Sequence, residues 1–264
     1  IDEAMRNVVA AGGDPERTVL LDNFCWGSCA DPEQLGKLVR ASEACRDVAV
    51  AFGTPFVSGK DSLNNTYTEG GWTLHIPPTL LVTALSVIED AGGSLSSDLK
   101  RSGNPVFLLG PSADGMAGSL AAERLGLDDA RVPVHDAALA LRLFKALRKA
   151  GTEGLVAACH DLSDGGLLVA ASEMVIGGRL GLALELGEGR ADVEAFGEAP
   201  SRFLVEVEAA KVRAFEKLMD GLPCRRLGEV QDSLRLVVHA AGGRRLVDMD
   251  LETLEKAWRG GLPL

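Results

Sequence analysis

The sequence predicts a mixed α/β protein made of two domains. Along the whole chain, apolar runs of strand length alternate with segments of helical periodicity. A stretch rich in glycine and serine interrupts this alternation at 92–103, and 264 residues are enough for two domains of ordinary size. We therefore place an N-terminal domain at 1–95, a linker at 96–102 and a C-terminal domain at 103–264. The first domain is expected to be incomplete at its start, because the chain opens inside a helix.

Helix and strand signals alternate in the N-terminal domain. Asp31 and Pro32 have the residue types of an N-cap and a first helical position, and the helical spacing that follows them stops at Gly53. If the apolar runs on either side of this helix are parallel strands, their carboxyl ends meet at one sheet edge, where ligands gather. The predicted elements are a helix at 2–11, strands at 18–21 and 55–57, the long helix between them, a polar hairpin at 66–75 and a strand at 80–88.

The C-terminal domain continues the alternation, without a tandem repeat of short period. Phe203, Val205 and Val207 alternate with their neighbours in the manner of a half-buried strand. The predicted strands lie at 105–109, 155–159, 180–186, 203–207, 234–239 and 244–247, and the predicted helices at 120–125, 134–150, 164–176, 209–219 and 251–259.

Composition limits the classes of partner. The formal net charge of −11 argues against binding to nucleic acid or to an anionic membrane, because the nonspecific part of such binding needs clustered Lys and Arg. No apolar run reaches membrane-spanning length. Five cysteines, an odd number, favour free thiols in a reducing compartment, and we expect a cytoplasmic protein. Cys25 and Cys29 lack the further pair that a metal site needs.

The first candidate site is the segment 55–65, where a short apolar run stops at a glycine and becomes polar. Gly59 permits close approach of the backbone to a ligand, and Lys60 supplies a positive charge for a phosphate. Asp61 has the chemistry to hold a metal, and Ser62 to donate or accept a hydrogen bond. The alternative is an ordinary polar turn after a strand, since Ser, Gly, Asp and Asn are common turn residues.

The second candidate site follows the predicted strand at 155–159 and opens a helix. It contains His160, Asp161, Ser163, Asp164 and Gly165, followed by a second glycine. Free N–H groups at a helix start favour an anion, and the two aspartates would suit the metal that accompanies a phosphate. The alternative assigns these residues structural roles: an N-cap serine, a first-turn aspartate and a hydrogen-bonded histidine. No Ser-His-Asp or Cys-His pairing can be assigned from residue order alone, and the Walker loop and the dinucleotide fingerprint are absent.

Together, these motifs resemble a known family. Ser58 to Ser62, Ile76 to Thr79 with Val87 to Asp90, and His160 to Gly166 occur in the order seen in the second half of phosphoribosylformylglycinamidine synthase, an enzyme of purine biosynthesis. The resemblance covers nearly the whole chain. It implies a fold like that of aminoimidazole ribonucleotide synthetase, with an N-terminal domain whose strands pair with a like domain into a barrel.

The resemblance also implies a reaction and its participants. In the family, ATP phosphorylates the formamide oxygen of formylglycinamide ribonucleotide, ammonia from glutamine displaces the phosphate, and magnesium assists. The implied partners are a glutaminase subunit or domain and the N-terminal half of the synthetase, and a homodimer through the N-terminal domain is a further expectation. The family's catalytic histidine belongs to that other half. We therefore assign no catalytic residue here and expect this chain alone to be inactive or nearly so.

Residue roles follow position by position from the same resemblance. Asp22 and Gly59 match family positions that contact ATP, and Ser62 matches one that contacts the substrate. Lys60 stands where many members carry an asparagine that binds magnesium. A charged lysine is not a metal ligand, so an alternative role for Lys60 is to neutralise a phosphate.

Two alternatives to this function remain open from the sequence. The first is another ATP-using enzyme of the same superfold, such as aminoimidazole ribonucleotide synthetase, a thiamine-phosphate kinase or a selenophosphate synthetase. The second is a noncatalytic nucleotide-binding or assembly module that stabilises a partner chain.

Overall fold

The computed structural model describes residues 1–127 and 132–260 and confirms the mixed α/β class. Residues 128–131 and 261–264 of the predicted C-terminal domain lie outside the described residues. The described helices are α1 Asp2–Ala10, α2 Pro32–Phe52, α3 Leu120–Leu125, α4 Ala137–Thr152, α5 Gly166–Gly178, α6 Ala191–Phe196, α7 Val212–Leu218 and α8 Leu251–Arg259. The described strands are β1 Thr18–Cys25, β2 Phe56–Ser62, β3 Thr66–Glu69, β4 Trp72–His75, β5 Thr79–Ser86, β6 Pro105–Leu109, β7 Val156–Asp161, β8 Gly181–Glu185, β9 Phe203–Val207, β10 Cys224–Gln231, β11 Arg235–His239 and β12 Arg245–Asp250.

The first sheet has three strands in the order β2-β1-β5. β1 and β2 run parallel, as predicted, and β5 is antiparallel to β1. The long helix α2 connects the two parallel strands and has the predicted ends: the side chain of Asp31 accepts a hydrogen bond from the Glu33 N–H, and Gly53 closes the helix at φ 70°. β3 and β4 form the predicted hairpin.

β1 and β2 are longer than predicted, and this changes the setting of the first candidate site. β1 continues to Cys25 because Phe24 is buried with Trp26 and Cys45 under α2. β2 continues through the polar residues to Ser62, paired with β1 along its length. β2 is an edge strand, so its backbone pairs with a neighbour on one side only. Its polar side chains reach solvent. The candidate residues therefore lie within strands, not in loops after them.

The second sheet has seven strands in the order β12-β11-β8-β10-β6-β9-β7. β6 and β8 are both antiparallel to β10, β6 and β7 are both antiparallel to β9, and β11 is parallel to β8. It follows that β6, β7, β8 and β11 all end at the same edge of the sheet. We call this the carboxyl edge; ligands commonly bind at such an edge in α/β proteins.

Two of the described elements were not predicted from the sequence. The missed strand β10 lies inside the sheet, but a register shift between Arg226 and Gly228 interrupts its alternation of buried and exposed side chains. The missed helix α6 is only six residues long. The predicted helix at 209–219 is split into a 3₁₀ turn at 209–211 and α7.

A buried carboxylate fixes the chain where it passes from the first sheet to the second. Glu206 on β9 has no exposed surface and accepts hydrogen bonds from the backbone N–H groups of Lys100 at 2.8 Å and Arg101 at 3.0 Å, and from the side chain of Asn104 at 2.7 Å. Burial raises the pKa of Glu206, and these donors oppose that effect. We call this arrangement the Glu206 clamp.

The core does not separate cleanly at the predicted linker. One cluster joins Met5, Leu20 and Phe52 from the first part of the chain with Phe107 and Phe144 from the second. The division into two domains at 96–102 therefore stays a proposal. Among the described residues, no helix combines the length and apolar character needed to cross a membrane. All five cysteines are free thiols.

Candidate functional site

Asp22 and Gly59 lie side by side on neighbouring strands. They are paired in the register of β1 and β2, and Val82 of β5, which packs against the core, lies opposite Asp22. These residues thus share the face of the sheet that the helices cover. A Cβ added to Gly59 would come within 2.5 Å of a carboxylate oxygen of Asp22. The glycine is required for room beside this carboxylate, since its backbone is extended and not left-handed.

Lys60 and Ser62 lie on the opposite face of the same sheet. Lys60 is paired with Asn23 and Ser62 with Cys25, residues that alternate with Asp22 along β1. The ammonium group of Lys60 contacts the hydroxyl oxygen of Ser62. Leu81, opposite Asn23 on β5, is 56% exposed. The positions expected to contact ATP and those expected to contact the substrate are therefore on two sides of one strand.

The second candidate site lies at the carboxyl edge, as its position after a strand predicted. β7 ends at Asp161, and α5 begins at Gly166. The N–H group of Gly165, which was expected to face an anion, donates to the carboxylate of Glu198 at 2.7 Å. The same carboxylate oxygen accepts from the N–H group of Leu120 at the start of α3 at 2.8 Å. Glu198 therefore supplies an internal anion for the loop before α5 and for the first turn of α3.

Helix α1 covers the polar side chains of this loop. Its Asn7 amide, oriented with nitrogen towards Asp161, donates to both carboxylate oxygens at 3.2 Å. The hydroxyl of Ser163 donates to Glu3 at 3.3 Å and does not cap α5. Of the two predicted aspartates, Asp161 is buried and Asp164 is exposed. The loop is thus held by α1 on one side and by Glu198 on the other.

His160 is held between two carboxylates. Its Nε2 lies 3.0 Å from Glu173 Oε2, and its Nδ1 lies 2.7 Å from the carbonyl oxygen of Asp161 and 3.4 Å from that residue's carboxylate. Burial disfavours the charged imidazole, but the hydrogen bonds to Asp161 and Glu173 outweigh it and raise the pKa of His160 to about 9. His160 is therefore an imidazolium at neutral pH.

We expect this histidine to make stability depend on pH. Its pKa is about 9 in the folded protein against 6.5 for an ordinary histidine, so its contribution is fully present below pH 6.5 and is lost as pH rises towards 9. The loss is on the order of 2–3 kcal/mol. His160→Gln should flatten the decline in unfolding free energy between these pH values, as measured by urea denaturation. His239→Gln, a change across the sheet on β11, should not. An equal slope in wild type and His160→Gln would contradict the assignment.

The described residues do not by themselves form a metal centre. Asp61 is exposed on β2, and no group of three His, Cys, Asp or Glu side chains in the described ranges is placed to hold a metal ion. In the same ranges, no hydrogen bond or ion pair joins Asp22 or Gly59 to residues 160–166. α1 lies next to both segments: Ile1 packs with Phe24, and the residues after it bind the second loop.

Several residues that organise this region were not predicted from the sequence. Glu198 lies 33 residues from the glycine that it binds, and Asp2 lies 199 residues from Ser201, whose N–H and hydroxyl both donate to it. No local pattern marks contacts of that range. One general rule could have pointed to Glu198. The free N–H groups at a helix start need an acceptor from elsewhere in the fold when no ligand is bound.

The comparisons with known proteins come from sequence and from structure. Residues 101–241 match the family described as AIR synthase related protein, C-terminal domain. Phosphoribosylformylglycinamidine synthase subunit PurL of Deinococcus radiodurans is 34% identical over 98% of this chain, and the subunit of the same name from Thermoplasma acidophilum is 30% identical over 98%. The chain spans 36% and 33% of the length of these two relatives.

Solved structures that share the fold include those of PurL from Thermotoga maritima, at 19% identity. Three of its structures superpose on this chain: PurLQS with a TM-score of 0.71, the complex with ATP with 0.70 and the complex with FGAR with 0.71. Each alignment covers 95–96% of this chain and 40–41% of the other. At this level of identity the superposition shows a shared fold.

Proposed function

This chain belongs to the AIR synthase related family, and from that membership we propose that it forms part of an ATP-dependent phosphoribosylformylglycinamidine synthase. The observation that carries the proposal is the identity of 34% over 98% of the chain to a PurL subunit. Because the chain spans about a third of each such relative, the activity is assigned to a protein of their full length. The other ATP-using enzymes of this superfold stay alternatives, which the substrate test below separates from this proposal.

The proposed reaction joins a phosphoryl transfer to an amination. ATP transfers its γ-phosphoryl group to the formamide oxygen of formylglycinamide ribonucleotide, ammonia adds to the activated carbon, and phosphate leaves with that oxygen. A T. maritima PurL has been solved with ATP and with FGAR, which supports both ligands as substrates here. We assign this chain the binding and orientation of the ligands, because the family's catalytic histidine belongs to the other half of the synthetase.

We assign the binding roles by position and surroundings. We take Asp22 and Gly59 as the ATP-contacting pair because the Asp22 carboxylate lies directly against the glycine backbone, where a side chain would displace it. On the opposite face of the sheet, Ser62 contacts formylglycinamide ribonucleotide. Lys60, whose ammonium group contacts the Ser62 hydroxyl, offers its positive charge to a phosphate. Residues 160–165 form a supporting loop at the carboxyl edge. Its predicted phosphate-binding role would require displacement of Glu198.

Magnesium is proposed for the complete enzyme and not for this chain alone. When bound, the metal would neutralise charge on the transferring phosphoryl group. Asp161 and Asp164 have suitable oxygen ligands, but the described residues assemble no group of three such side chains. We therefore derive no step through magnesium from this chain.

The proposed partners are a like synthetase domain and a glutaminase. On the face that carries Lys60, Leu81 and Leu85 are 56% and 55% exposed, an apolar surface that a second sheet would cover. This supports pairing with the other half of the synthetase or with a second copy. The T. maritima relative was solved as PurLQS, which supports an assembly with further subunits that deliver ammonia. We place the protein in the cytoplasm, in accord with its free thiols.

The function is tested with the protein at its full natural length. Formation of ADP should require ATP, formylglycinamide ribonucleotide and ammonium together, and the amidine product should be detected by mass spectrometry. Replacing the substrate with aminoimidazole ribonucleotide precursors, thiamine phosphate or selenide should give no ADP. Turnover with one of those compounds, or nucleotide binding without any turnover, would overturn the proposal in favour of a related enzyme or of an assembly module.

A further inference from the structure

Arg202 is a fully buried cation to which no described residue offers a carboxylate partner. Its side chain has no exposed surface, and it lies in the turn immediately before β9. Its guanidinium donates from Nη1 to the carbonyl oxygen of Gly197 at 2.9 Å. Nε and Nη2 have no hydrogen-bond partner among the described residues. The N–H groups of these two atoms lie on one edge of the guanidinium, and such an edge donates two parallel hydrogen bonds to the oxygens of a carboxylate or a phosphate.

The neighbouring Arg6 adds to the positive charge. Arg6 is also buried; its Nη1 pairs with Asp2 at 3.1 Å, and its Nε has no partner in the described part of the chain. Asp2 is already engaged by the N–H and hydroxyl of Ser201. Burial, with the nearby charge of Arg6, lowers the pKa of Arg202 to about 10. An unpaired buried charge is costly, so this arrangement calls for an additional anion.

A cavity beside Arg202 offers a place for that anion. Its volume is about 490 Å³, and its lining includes Arg202, Arg225 and Ser112 together with the acidic residues Asp114, Glu188 and Glu194. Arg225 contributes a second guanidinium, which contacts Glu194. The cavity lies where β6 and β8 end, at the carboxyl edge. Its size exceeds that of a bare phosphate, so there is room for a small molecule that carries one.

We propose that this cavity is a binding site for a phosphorylated small molecule, whose phosphoryl oxygens bind the Nε–Nη2 edge of Arg202. Arg225 lies on the same cavity but is paired with Glu194, so Arg202 supplies the unpaired positive charge. Arg202 has no exposed surface, so binding in this way requires a local movement of the cavity wall. The site goes beyond the proposed synthase function: it includes none of the positions assigned to ATP or to its co-substrate, and its occupancy does not depend on turnover.

Inorganic phosphate is the probe for this site. In the protein at its full natural length, phosphate should bind saturably in calorimetry and raise the thermal unfolding midpoint above that in chloride of equal ionic strength. Arg202→Met keeps the length of the side chain and removes its charge, and it should weaken phosphate binding about 10- to 100-fold. Without phosphate, this variant should be as stable as wild type, because it loses an unpaired charge. Arg213→Met, an exposed change on α7, should bind phosphate as wild type does.

A second variant keeps the test decisive if Arg202→Met does not fold. Ser112→Trp fills the cavity while Arg202 stays in place, and it should also weaken phosphate binding about tenfold or more. Gly59→Ala, outside the cavity, should leave this binding unchanged, which separates the site from the ATP positions. Phosphate affinity equal to wild type in either cavity variant, or no saturable binding by wild type, would overturn the proposal.

Discussion

Replacing Glu206 with alanine is expected to lower the free energy of unfolding by about 3 kcal/mol or more. The substitution leaves the N–H groups of Lys100 and Arg101 and the buried amide of Asn104 without the acceptor that the fully buried Glu206 supplies. Each unpaired buried donor carries its desolvation cost, and the three occur together. Urea denaturation followed by circular dichroism measures the effect.

The control is Glu216→Ala, which removes an exposed carboxylate from α7 and should change stability by no more than about 0.5 kcal/mol. Glu206→Gln keeps the shape of the side chain and one acceptor oxygen, so its loss should fall between the two. A loss below about 1 kcal/mol in Glu206→Ala would show that the Glu206 clamp does not hold the linker.

Gly59→Ala is expected to reduce kcat/KM for ATP by about 100-fold in the protein at its full natural length. The added methyl group would lie 2.5 Å from one oxygen of Asp22 and 2.7 Å from the other, so the carboxylate has to move. The end of an aspartate side chain moves at low cost, and we therefore expect the fold to survive while the geometry of the ATP pair is lost. Initial rates and calorimetry with ATP measure the effect.

Gly36→Ala is the matched control, because a Cβ at Gly36 on α2 meets no atom within 4 Å. It should keep full activity and gain slightly in helix stability. A Gly59→Ala protein that is folded and binds ATP within twofold of wild type would remove Gly59 from the candidate site. The thermal unfolding midpoint of Gly59→Ala, compared with that of wild type, shows whether a loss of activity comes from the site or from the fold.

Much of the fold follows from local chemistry that the sequence displays. The cap at Asp31, the stop at Gly53 and the hairpin at 66–75 are set by residues within a few positions of each other, and all three are confirmed. The extension of β2 through its polar residues was not foreseen. It depends on pairing with β1, and such pairing is a tertiary effect that overrides the preference of Ser, Gly and Asp for turns.

The candidate site was predictable in position more than in geometry. The sequence placed His160 and Asp161 at a strand end before a helix, where the structure has them. It did not show that Gly59 and Lys60 face opposite ways, because the alternation of a strand applies only once the segment is known to be one. Nor did it reveal Arg202, whose unusual state comes from burial against residues far away in the chain.

The position of β2 at the rim of its sheet has a consequence for solubility. An edge strand exposes a row of unpaired backbone groups on which another chain can pair and start aggregation. Here the register shift at the start of the β1–β2 ladder breaks the regular edge, and Lys60 and Asp61 place two charges along it. Charges and irregularities of this kind discourage unwanted strand addition. The charge of Lys60 therefore disfavours the addition of an unrelated strand at this edge, whatever ligand it meets.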